Sequence, residues 1–448
     1  MLEKFDVLIV GGGPAGIITA ITARKYYKDK KIAVLRSVEK GAIPCGIPYM
    51  ISSLKNPDDN TMPLASLAAN NVTALVEKVI TIDRKSKTVK TEKGAEYGYD
   101  KLVLATGSNP IIPPVKGADL KGVYPAYKDM EYLKKAVLEI KAAGSVVVLG
   151  GGFIGVEFAD ELSRVAGVKT TLVEMLPQIL TNSFDPEFSK MASDKLSAAG
   201  VTVIMGIKVE EISGNGKAEK VKLSDGRVID AGAVILGIGA VPEVAAAKEA
   251  GLDVVERRGI CVDEYMRTKD LDIFAVGDCA CKKDFYTRRD TPVMLASTAT
   301  AEARIAGANL FSLKVIRENK GTIAIYSTYI NGLVLGSAGL TETTAKKEGF
   351  EIITSTAAGK DRHPGTLPGG SDVTVKLVFS KQAGIILGGQ VSGGQSAGEL
   401  INLIGVAIQK RMSVSELETL QMATQPYLTS APTVYPLVVA AQNASNKF

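Results

Sequence analysis

The sequence predicts an α/β fold that binds two dinucleotides. A glycine-rich turn follows an apolar strand and opens a helix twice, at Gly11–Gly16 and again at Gly150–Gly155. Glycines in such a turn let backbone N–H groups at the helix N-terminus approach a pyrophosphate, where the helix dipole favours an anion. One turn of this kind is weak evidence, but two in the same strand–turn–helix context predict two dinucleotide-binding units. The chain is long enough for roughly three domains.

The first unit is predicted from strand Phe5–Val10, helix Ala15–Tyr27 and strand Lys31–Leu35. A carboxylate usually stands at the end of the second strand, about 20 residues after the glycines, and binds ribose hydroxyls. Arg36 occupies that place here, and Glu39 is the nearby candidate substitute. The departure weakens the predicted adenosine contact and leaves the pyrophosphate site intact.

The second unit follows a predicted helix, Tyr127–Ala143. Its strands are Ser145–Leu149 and Thr170–Val173, and Glu174 stands directly after the second one. A carboxylate at this position hydrogen-bonds a ribose 2′-hydroxyl and repels a 2′-phosphate, so NADH is favoured over NADPH.

Turn and cap residues place further elements. Val72–Thr91 is predicted to form a pair of hairpin strands, and Ser224–Gly226 turns a second hairpin. Asp185 is predicted to cap the helix that Pro186 begins. The buried strand Ala233–Leu236 leads into another glycine-containing turn.

Composition excludes several classes of function. The net charge of +5 comes without a basic tail or stripe, so no nucleic-acid-binding surface is predicted. No apolar run is long enough to span a bilayer, and the N-terminus lacks a signal-peptide pattern, which predicts a cytoplasmic protein. The four cysteines lack zinc-site spacing and His363 is the single histidine, so no metal site is predicted.

One cysteine stands in an unusual loop, Lys40–Tyr49. Pro44 and Pro48 fix the backbone on either side of Cys45, and Gly46 permits close backbone approach. Such a rigid turn suits a sulfur that must be held against a flat ring. The alternative is a buried structural cysteine, which is common in proteins.

The motifs together resemble those of the flavin-dependent pyridine nucleotide–disulfide oxidoreductases. The segment Asp272–Asp278 is similar to the family's second flavin motif, and Thr106-Gly107 and Gly237–Pro242 match its connecting motifs. The resemblance covers essentially the whole chain. It implies a split FAD-binding domain (1–112 and 243–321), an inserted NAD-binding domain (113–242), and an α+β dimerisation domain (322–448) that forms a homodimer.

Within that family the chain resembles the single-cysteine branch, because Met50 stands where most members have a second redox cysteine. The branch comprises coenzyme A-disulfide reductases, NADH-dependent persulfide or polysulfide reductases, and NADH oxidases and peroxidases. Pro14 replaces the histidine of the peroxidases and water-forming oxidases, which disfavours peroxide chemistry. Arg24 and Lys25 match residues that bind coenzyme A phosphates; the alternative is a helix C-terminus with favourable dipole charge.

The resemblance implies a mechanism in which NADH passes a hydride to FAD, and the flavin then reduces a mixed disulfide or persulfide on Cys45. Phe153 would gate the nicotinamide site, and the pKa of Cys45 should be lowered by nearby positive charge. The helix beginning at Ala296 would point its N-terminus at the flavin. The resemblance assigns cofactor contacts to Gly11, Gly13, Pro14, Ala15, Gly16, Glu39, Thr106, Gly107, Asp278, Ser297, Thr298, Gly150, Gly152, Phe153, Ile154, Gly155, Glu157, Glu174 and Gly239.

Proton delivery to the leaving thiol stays open at this point. Two-cysteine relatives place a His-Pro pair where this chain has Gln425-Pro426, and Tyr427 is the candidate counterpart. His363 is more typical of a structural loop residue. Cys279 and Cys281 form a CxC sequence that could be a strained disulfide but is more typical of small packed residues.

The predicted substrate is a small-molecule disulfide or persulfide, with a coenzyme A derivative favoured. The alternatives are an NADH oxidase that reduces oxygen, and an electron carrier that serves a small redox protein. Cys45 counts against the carrier, since carrier relatives lack a cysteine at this position.

Overall fold

The computed structural model describes residues 2–317 and 321–448. Met1 and residues 318–320, which fall within the two predicted FAD-binding segments, lie outside the described residues. The observed architecture confirms the predicted α/β class. Two dinucleotide-binding units share the chain with a C-terminal α+β domain. The residue boundaries predicted for the domains stay predictions.

The first unit is built on a seven-stranded sheet, in which six strands have the order β3-β2-β1-β6-β5-β4 and a seventh, from later in the chain, pairs with β6. The central strands run parallel and are buried on both faces, which explains the continuous apolar run of β1. Its elements are β1 (Glu3–Val10), α1 (Pro14–Tyr26), β2 (Ile32–Arg36), α2 (Ala65–Ala69), β3 (Thr73–Val76), β4 (Val79–Asp83), β5 (Thr88–Thr91), β6 (Glu96–Leu104) and β7 (Ser108–Pro110). The predicted hairpin is correct for β4 and β5, whereas β3 pairs in parallel with β2.

The second unit contains a five-stranded parallel sheet with the order β11-β10-β9-β15-β8 and a small antiparallel meander, β12-β13-β14. The first helix starts at Met130, not at Tyr127, because the Asp129 carboxylate accepts a hydrogen bond from Tyr132 N at 2.8 Å and caps it there. The elements are β8 (Val123–Pro125), α3 (Met130–Lys141), β9 (Ser145–Leu149), α4 (Phe153–Leu162), β10 (Lys169–Glu174), α5 (Pro186–Ala198), β11 (Thr202–Met205), β12 (Val209–Ser213), β13 (Lys220–Leu223), β14 (Val228–Asp230) and β15 (Ala233–Leu236).

The chain then returns to the first unit. Its elements are β16 (Ala240–Pro242), α6 (Ala245–Glu249), β17 (Val254–Val255), β18 (Gly259–Ile260), β19 (Ile273–Ala275), β20 (Lys282–Lys283), β21 (Asp290–Thr291) and α7 (Ala296–Ala308). Strand β19 pairs in parallel with β6, so the first sheet is completed by residues far along the chain. Helix α7 packs against α1. A Cβ at Gly307 would lie 2.8 Å from Thr19 O, so glycine is needed for this close approach.

The C-terminal domain is a five-stranded antiparallel sheet with the order β22-β23-β26-β25-β24, covered by helices. Its elements are β22 (Ile325–Ile330), β23 (Leu333–Gly339), α8 (Glu342–Lys347), β24 (Ile352–Lys360), β25 (Asp372–Ser380), β26 (Ile386–Gly393), α9 (Ala397–Gln409), α10 (Val414–Glu418) and α11 (Pro436–Ser445). The apolar faces of α9 and α11 pack into the same core as β25.

Asp185 does not cap its own helix. No hydrogen bond joins its side chain to α5. The carboxylate instead accepts hydrogen bonds from Glu342 N at 3.1 Å and from Thr343 N at 3.1 Å, at the start of α8. The prediction was wrong because a partner from the C-terminal domain satisfies this carboxylate.

Across residues 2–317 and 321–448, no helix combines the length and apolar character that crossing a bilayer requires. Over the same ranges, no group of three or more histidine, cysteine or acidic side chains is placed to hold a metal ion.

Candidate active site

The loop that carries Cys45 is held by backbone hydrogen bonds on both sides. Ala42 N donates to Lys128 O at 2.9 Å, and Met130 N donates to Lys40 O at 3.1 Å. On the other side, Met62 N donates to Gly41 O at 2.8 Å. The start of the loop is therefore fixed between two segments that are distant in sequence.

The two predicted prolines each begin a short 3₁₀ turn, Pro44–Gly46 and Pro48–Met50. The buried Asn60 braces them, since its Nδ2 donates to Ile43 O at 3.1 Å. A Cβ at Gly46 would overlap with the Asn60 side-chain oxygen, so this position requires glycine. The rigid turn is as predicted, but Asn60 as its support was missed.

Cys45 is a free cysteine and is exposed in the protomer. Desolvation by the surrounding atoms raises the pKa of the Cys45 thiol, and the carboxylates of Glu157 and Asp278 raise it further. Lys128 opposes this shift without overcoming it. The predicted lowering of the pKa is therefore wrong for the protomer, because desolvation and the carboxylates of Glu157 and Asp278 outweigh the opposing charge of Lys128.

Glu157 lies on α4 and is bonded across a domain boundary. Thr328 Oγ1, on β22, donates to Glu157 Oε1 at 2.9 Å. Burial is the main cause that raises the pKa of the Glu157 carboxyl to about 7; the hydrogen bond from Thr328 opposes it, and Asp160 and Glu161 add to it. Glu157 is thus a carboxyl group that exchanges its proton near neutral pH beside Cys45.

A second acidic side chain ties α4 to the segment after the cysteine loop. Glu161 is fully buried and accepts hydrogen bonds from Ser53 N at 2.7 Å and Ser53 Oγ at 2.6 Å. Arg164 Nη1 donates to the same carboxylate at 2.6 Å. These contacts fix the distance between α4 and the loop, and they were not predicted from the sequence.

Asp278, the predicted flavin aspartate, is oriented by two residues that sequence reasoning missed. Ser108 Oγ donates to Asp278 Oδ2 at 2.8 Å, and Lys128 Nζ lies 3.6 Å from the same oxygen. Lys128 also donates to Ser108 Oγ at 3.0 Å. Lys128 therefore links the aspartate to the backbone that holds the Cys45 loop.

The first glycine turn fits the pyrophosphate of FAD. A Cβ at Gly11 or Gly16 would overlap with a backbone carbonyl, whereas the space beside Gly13 is open. No side chain caps the start of α1, so its first N–H groups stay available to an anion. Pro14 and Ala15 open this helix.

Arg36 fills the place where the ribose carboxylate was sought. Its side chain packs over Gly12, and its Nη1 donates to the backbone oxygen of Glu39 at 2.8 Å. The Glu39 side chain is exposed. Its predicted contact with adenosine stays a prediction.

The second glycine turn has the same form. Gly150 and Gly155 have no room for a Cβ, the space beside Gly152 is open, and the N-terminus of α4 has no side-chain cap. The buried Glu174 carboxylate accepts hydrogen bonds from Gly151 N at 2.5 Å and Leu176 N at 2.7 Å. Glu174 therefore shapes the turn as well as standing at the predicted ribose position.

The predicted gate, Phe153, lies in an aromatic cluster at the domain boundary. Its ring stacks on Tyr326 of β22 at 5.0 Å between centroids, and Phe184 lies 6.1 Å away. The neighbouring Ile154 is exposed.

The connecting motifs join the two units. Thr106 Oγ1 donates to Glu243 O at 2.6 Å, and Glu243 N donates to Gly107 O at 2.9 Å. Ile111 N donates to Gly239 O at 3.0 Å, and β7 pairs with β16. The two chain crossings between the units are therefore hydrogen-bonded to each other.

Helix α7 begins as predicted, with Ser297 and Thr298 in its first turn. No side chain caps this end of the helix. Its first N–H groups are free to donate to an electron-rich atom of the flavin ring that is predicted to lie here.

Arg24 and Lys25 differ in their surroundings. The Arg24 guanidinium donates to the carbonyls of Lys28 at 2.8 Å, Lys30 at 2.7 Å and Asn71 at 2.9 Å, which favours a structural role at the end of α1. Lys25 is exposed. It is the more accessible of the two cations for an anionic substrate.

Tyr427 and His363 belong to one segment of the C-terminal domain. His363 Nδ1 lies 3.0 Å from Thr429 O, and His363 N donates to Pro426 O at 3.1 Å, so the histidine supports the loop. Tyr427 is 53% exposed with Arg362 over its ring at 5.6 Å. Among the described residues, no hydrogen bond joins Tyr427 to Cys45 within one protomer.

Cys279 and Cys281 are both free, so the CxC sequence holds no disulfide. Cys279 is completely buried, and its thiol donates to Leu104 O and Val276 O at 3.3 Å each. This agrees with the prediction of a small packed residue.

Over most of its length the chain matches one family of known proteins. The sequence model of the pyridine nucleotide-disulphide oxidoreductase family matches residues 5–303, and that of its dimerisation domain matches residues 325–434. The chain is 33% identical over 451 residues to an NADH oxidase of Methanocaldococcus jannaschii, which covers 98% of both chains. It is 30% identical over 451 residues to the CoA-dependent NAD(P)H sulfur oxidoreductase of Pyrococcus abyssi, again with 98% of both chains covered.

The structure is similar to that of an NAD-dependent persulfide reductase from A. fulgidus. The TM-score is 0.91 at 28% sequence identity, over 99% of this chain and 83% of that chain.

Proposed function

Since this chain belongs to the pyridine nucleotide-disulphide oxidoreductase family, we propose that it is a reductase of a low-molecular-weight disulfide or persulfide, with a coenzyme A thiol derivative as the preferred substrate. The chain is an FAD-dependent NAD(P)H oxidoreductase.

The observation that carries the proposal is the setting of Cys45. It is exposed, it stands on a turn fixed by two prolines and Asn60, and Asp278 and Glu157 face it. Met50, at the second cysteine position of the family, is buried. One accessible sulfur beside the flavin-binding aspartate suits a substrate that itself carries a sulfur–sulfur bond.

When bound, FAD accepts a hydride from the reduced nicotinamide and supplies two electrons for sulfur reduction. The Gly11–Gly16 turn and Asp278 would hold it, while the Gly150–Gly155 turn and Glu174 would hold the nicotinamide dinucleotide. The Glu174 carboxylate disfavours a 2′-phosphate, so NADH is the proposed reductant.

The chain's own residues then handle sulfur and protons. Cys45 loses its proton, and the resulting thiolate attacks the substrate sulfur, forms a mixed disulfide or persulfide and releases a thiol. Glu157, whose pKa is about 7, is the proposed proton-exchanging group on this side of the site.

The relative named CoA-dependent sulfur oxidoreductase supports a coenzyme A substrate, and exposed Lys25 is the proposed phosphate contact. The dimerisation-domain match supports a homodimer. In that homodimer Tyr427 is proposed to reach the cysteine loop of the other protomer.

The test is an anaerobic titration of the flavin-loaded enzyme. The enzyme is reduced with NADH, coenzyme A persulfide or coenzyme A disulfide is added, and flavin absorbance and free thiol are followed. Wild type should reoxidise rapidly and release thiol, and Cys45→Ser should lose both by at least a hundredfold, the scale of a lost covalent catalyst. Equal rates in the two proteins would overturn the proposal.

Reduction of oxygen is the second candidate function, favoured by the similarity to the NADH oxidase of M. jannaschii. Pro14 disfavours peroxide chemistry at the first turn. Rapid reoxidation by air alone, unaffected by Cys45→Ser, would select this activity.

A further inference from the structure

Two further cysteines lie side by side in the FAD-binding unit. Ile260 at the end of β18 forms a parallel bridge with Ala280, and Cys281 N donates to Ile260 O at 2.8 Å. Cys261 and Cys281 are therefore the next pair along this register. Neighbouring paired strands lie about 4.8 Å apart. That spacing falls within the range of about 4.4–6.8 Å between the Cα atoms of a disulfide.

The thiols themselves interact. Cys281 Sγ donates to Gly259 O at 3.1 Å. Burial raises the pKa of Cys281 to about 12, and the charge and hydrogen bonding of Cys261 add to this shift. Both residues are partly exposed, whereas Cys279 is buried with its thiol directed to other carbonyls.

The groups that act on this pair differ from those that act on Cys45. Asp290 is the carboxylate that acts on Cys281, while Glu157 and Asp278 act on Cys45. The two sulfur sites therefore have separate surroundings.

We propose that Cys261 and Cys281 form a second dithiol site that is converted to a disulfide by low-molecular-weight disulfides. The site is independent of Cys45 and does not rest on the proposed function. Oxidation joins the residue that follows β18 to the segment that leaves the Gly277–Cys279 turn, next to Asp278.

The reaction is a balanced thiol–disulfide exchange. The Cys261 thiolate attacks one sulfur of R–S–S–R, forms Cys261–S–S–R and releases one thiol. The Cys281 thiolate then attacks the Cys261 sulfur, forms the intramolecular disulfide and releases the second thiol. The protein loses two electrons and two protons, and the small disulfide gains them.

The order of attack follows from the hydrogen bond that holds the Cys281 thiol. Cys281 Sγ donates its hydrogen to Gly259 O at 3.1 Å, so Cys261 is the entering thiol. The Cys281 thiol, the next partner along the register, then loses its proton and resolves the intermediate.

The experiment uses the flavin-loaded Cys45→Ser enzyme without NADH, with coenzyme A disulfide as the probe. After acid quenching and alkylation, trypsin releases Cys261 in the peptide 259–267 and both Cys279 and Cys281 in the peptide 270–282. We expect the loss of two alkylatable thiols per chain and a cross-link between these peptides.

Single variants identify the partners. Cys261→Ser should abolish the cross-link, Cys281→Ser should trap one coenzyme A adduct on Cys261, and Cys279→Ser should leave the cross-link intact. Fragmentation of the cross-linked peptides from the parent enzyme locates the bond even where a variant fails to fold. Retention of both thiols, or a cross-link through Cys279, would overturn the proposal.

Discussion

Glu157 is largely buried and lies near two other carboxylates, those of Asp160 and Glu161. Its pKa is raised to about 7 from an ordinary value of 4.5, so the folded protein binds a proton here that the unfolded chain releases between these values. Since the folded state binds more protons in that window, stability falls as pH rises through it. The shift corresponds to a cost on the order of 3 kcal/mol above pH 7.

We predict that Glu157→Gln flattens this pH dependence. A glutamine keeps an oxygen that accepts the hydrogen bond from Thr328 and carries no charge to be buried. The variant should unfold at a higher temperature than wild type at pH 8, and the two should converge near pH 4.5. Thermal unfolding of the apoprotein across this range measures it.

Glu96→Gln is the matched control, because Glu96 is exposed. It should keep the wild-type pH dependence. Equal pH dependence of Glu157→Gln and wild type would contradict the assignment of a raised pKa to Glu157.

Sequence reasoning could select Glu157 only through the family's motif. Its raised pKa depends on burial by the packing around α4, while the hydrogen bond from Thr328, which comes from another domain, opposes the shift. The same limit explains the wrong expectation for Cys45, whose pKa is raised first by desolvation and then by Glu157 and Asp278 from separate parts of the chain.

The turn that presents Asp278 is held by a buried ion pair. Glu302 Oε2, on α7, accepts a hydrogen bond from Gly277 N at 2.9 Å, and Lys282 Nζ donates to Gly277 O at 2.6 Å. The two charged groups lie 3.8 Å apart and are almost completely buried. Gly277 has φ +75°, so it needs glycine and a firm support on both of its backbone polar groups.

We predict that Glu302→Gln weakens flavin binding and stability together. It leaves the Lys282 charge buried without its carboxylate, and breaking a buried pair costs about 3–5 kcal/mol. The bound FAD per chain, measured by absorbance after extensive dialysis, should fall, and the unfolding temperature of the apoprotein should also fall.

The double variant Glu302→Gln/Lys282→Met is the control. Since it removes both charges, it should recover part of the lost stability while flavin binding stays weak, because the Gly277 O contact is gone. No difference in stability between the single and double variants would contradict the ion-pair argument.

At the scale of the whole protomer, a buried polar network joins the NAD-binding unit to the C-terminal domain. Lys376 on β25 lies 3.0 Å from Asp185, 2.6 Å from Glu187 and 2.8 Å from Glu342. Gln390 Nε2 also donates to Asp185 at 2.5 Å. Burial opposes the charge of Lys376, but these acidic partners raise its pKa above the ordinary value and stabilise the ammonium.

We predict that Lys376→Met loosens this domain contact. Asp185 is buried and would lose its cation, at a cost of about 3–5 kcal/mol. The unfolding temperature should fall, and limited proteolysis near α5 and α8 should be faster.

Lys360→Met is the comparison on the neighbouring strand. Lys360 pairs with Asp372 at 2.7 Å, but both side chains are largely exposed, so its loss should cost less than about 1 kcal/mol. Equal effects of the two variants would show that burial of the Lys376 network adds nothing to stability.

The sequence alone determined the features that depend on residues close together in the chain. Glycine and proline restrict or widen the backbone conformations of their own positions. The pattern at Gly11 and Gly150 therefore predicted two dinucleotide-binding units, and the prolines around Cys45 predicted a rigid turn. The tertiary structure decided everything that depends on partners far apart in the chain. It directed the Asp185 carboxylate to the start of α8, placed Cys261 beside Cys281 and engaged the Arg24 guanidinium with backbone carbonyls. Folding brings these groups together because burial requires each polar atom to find a partner, wherever in the chain that partner lies.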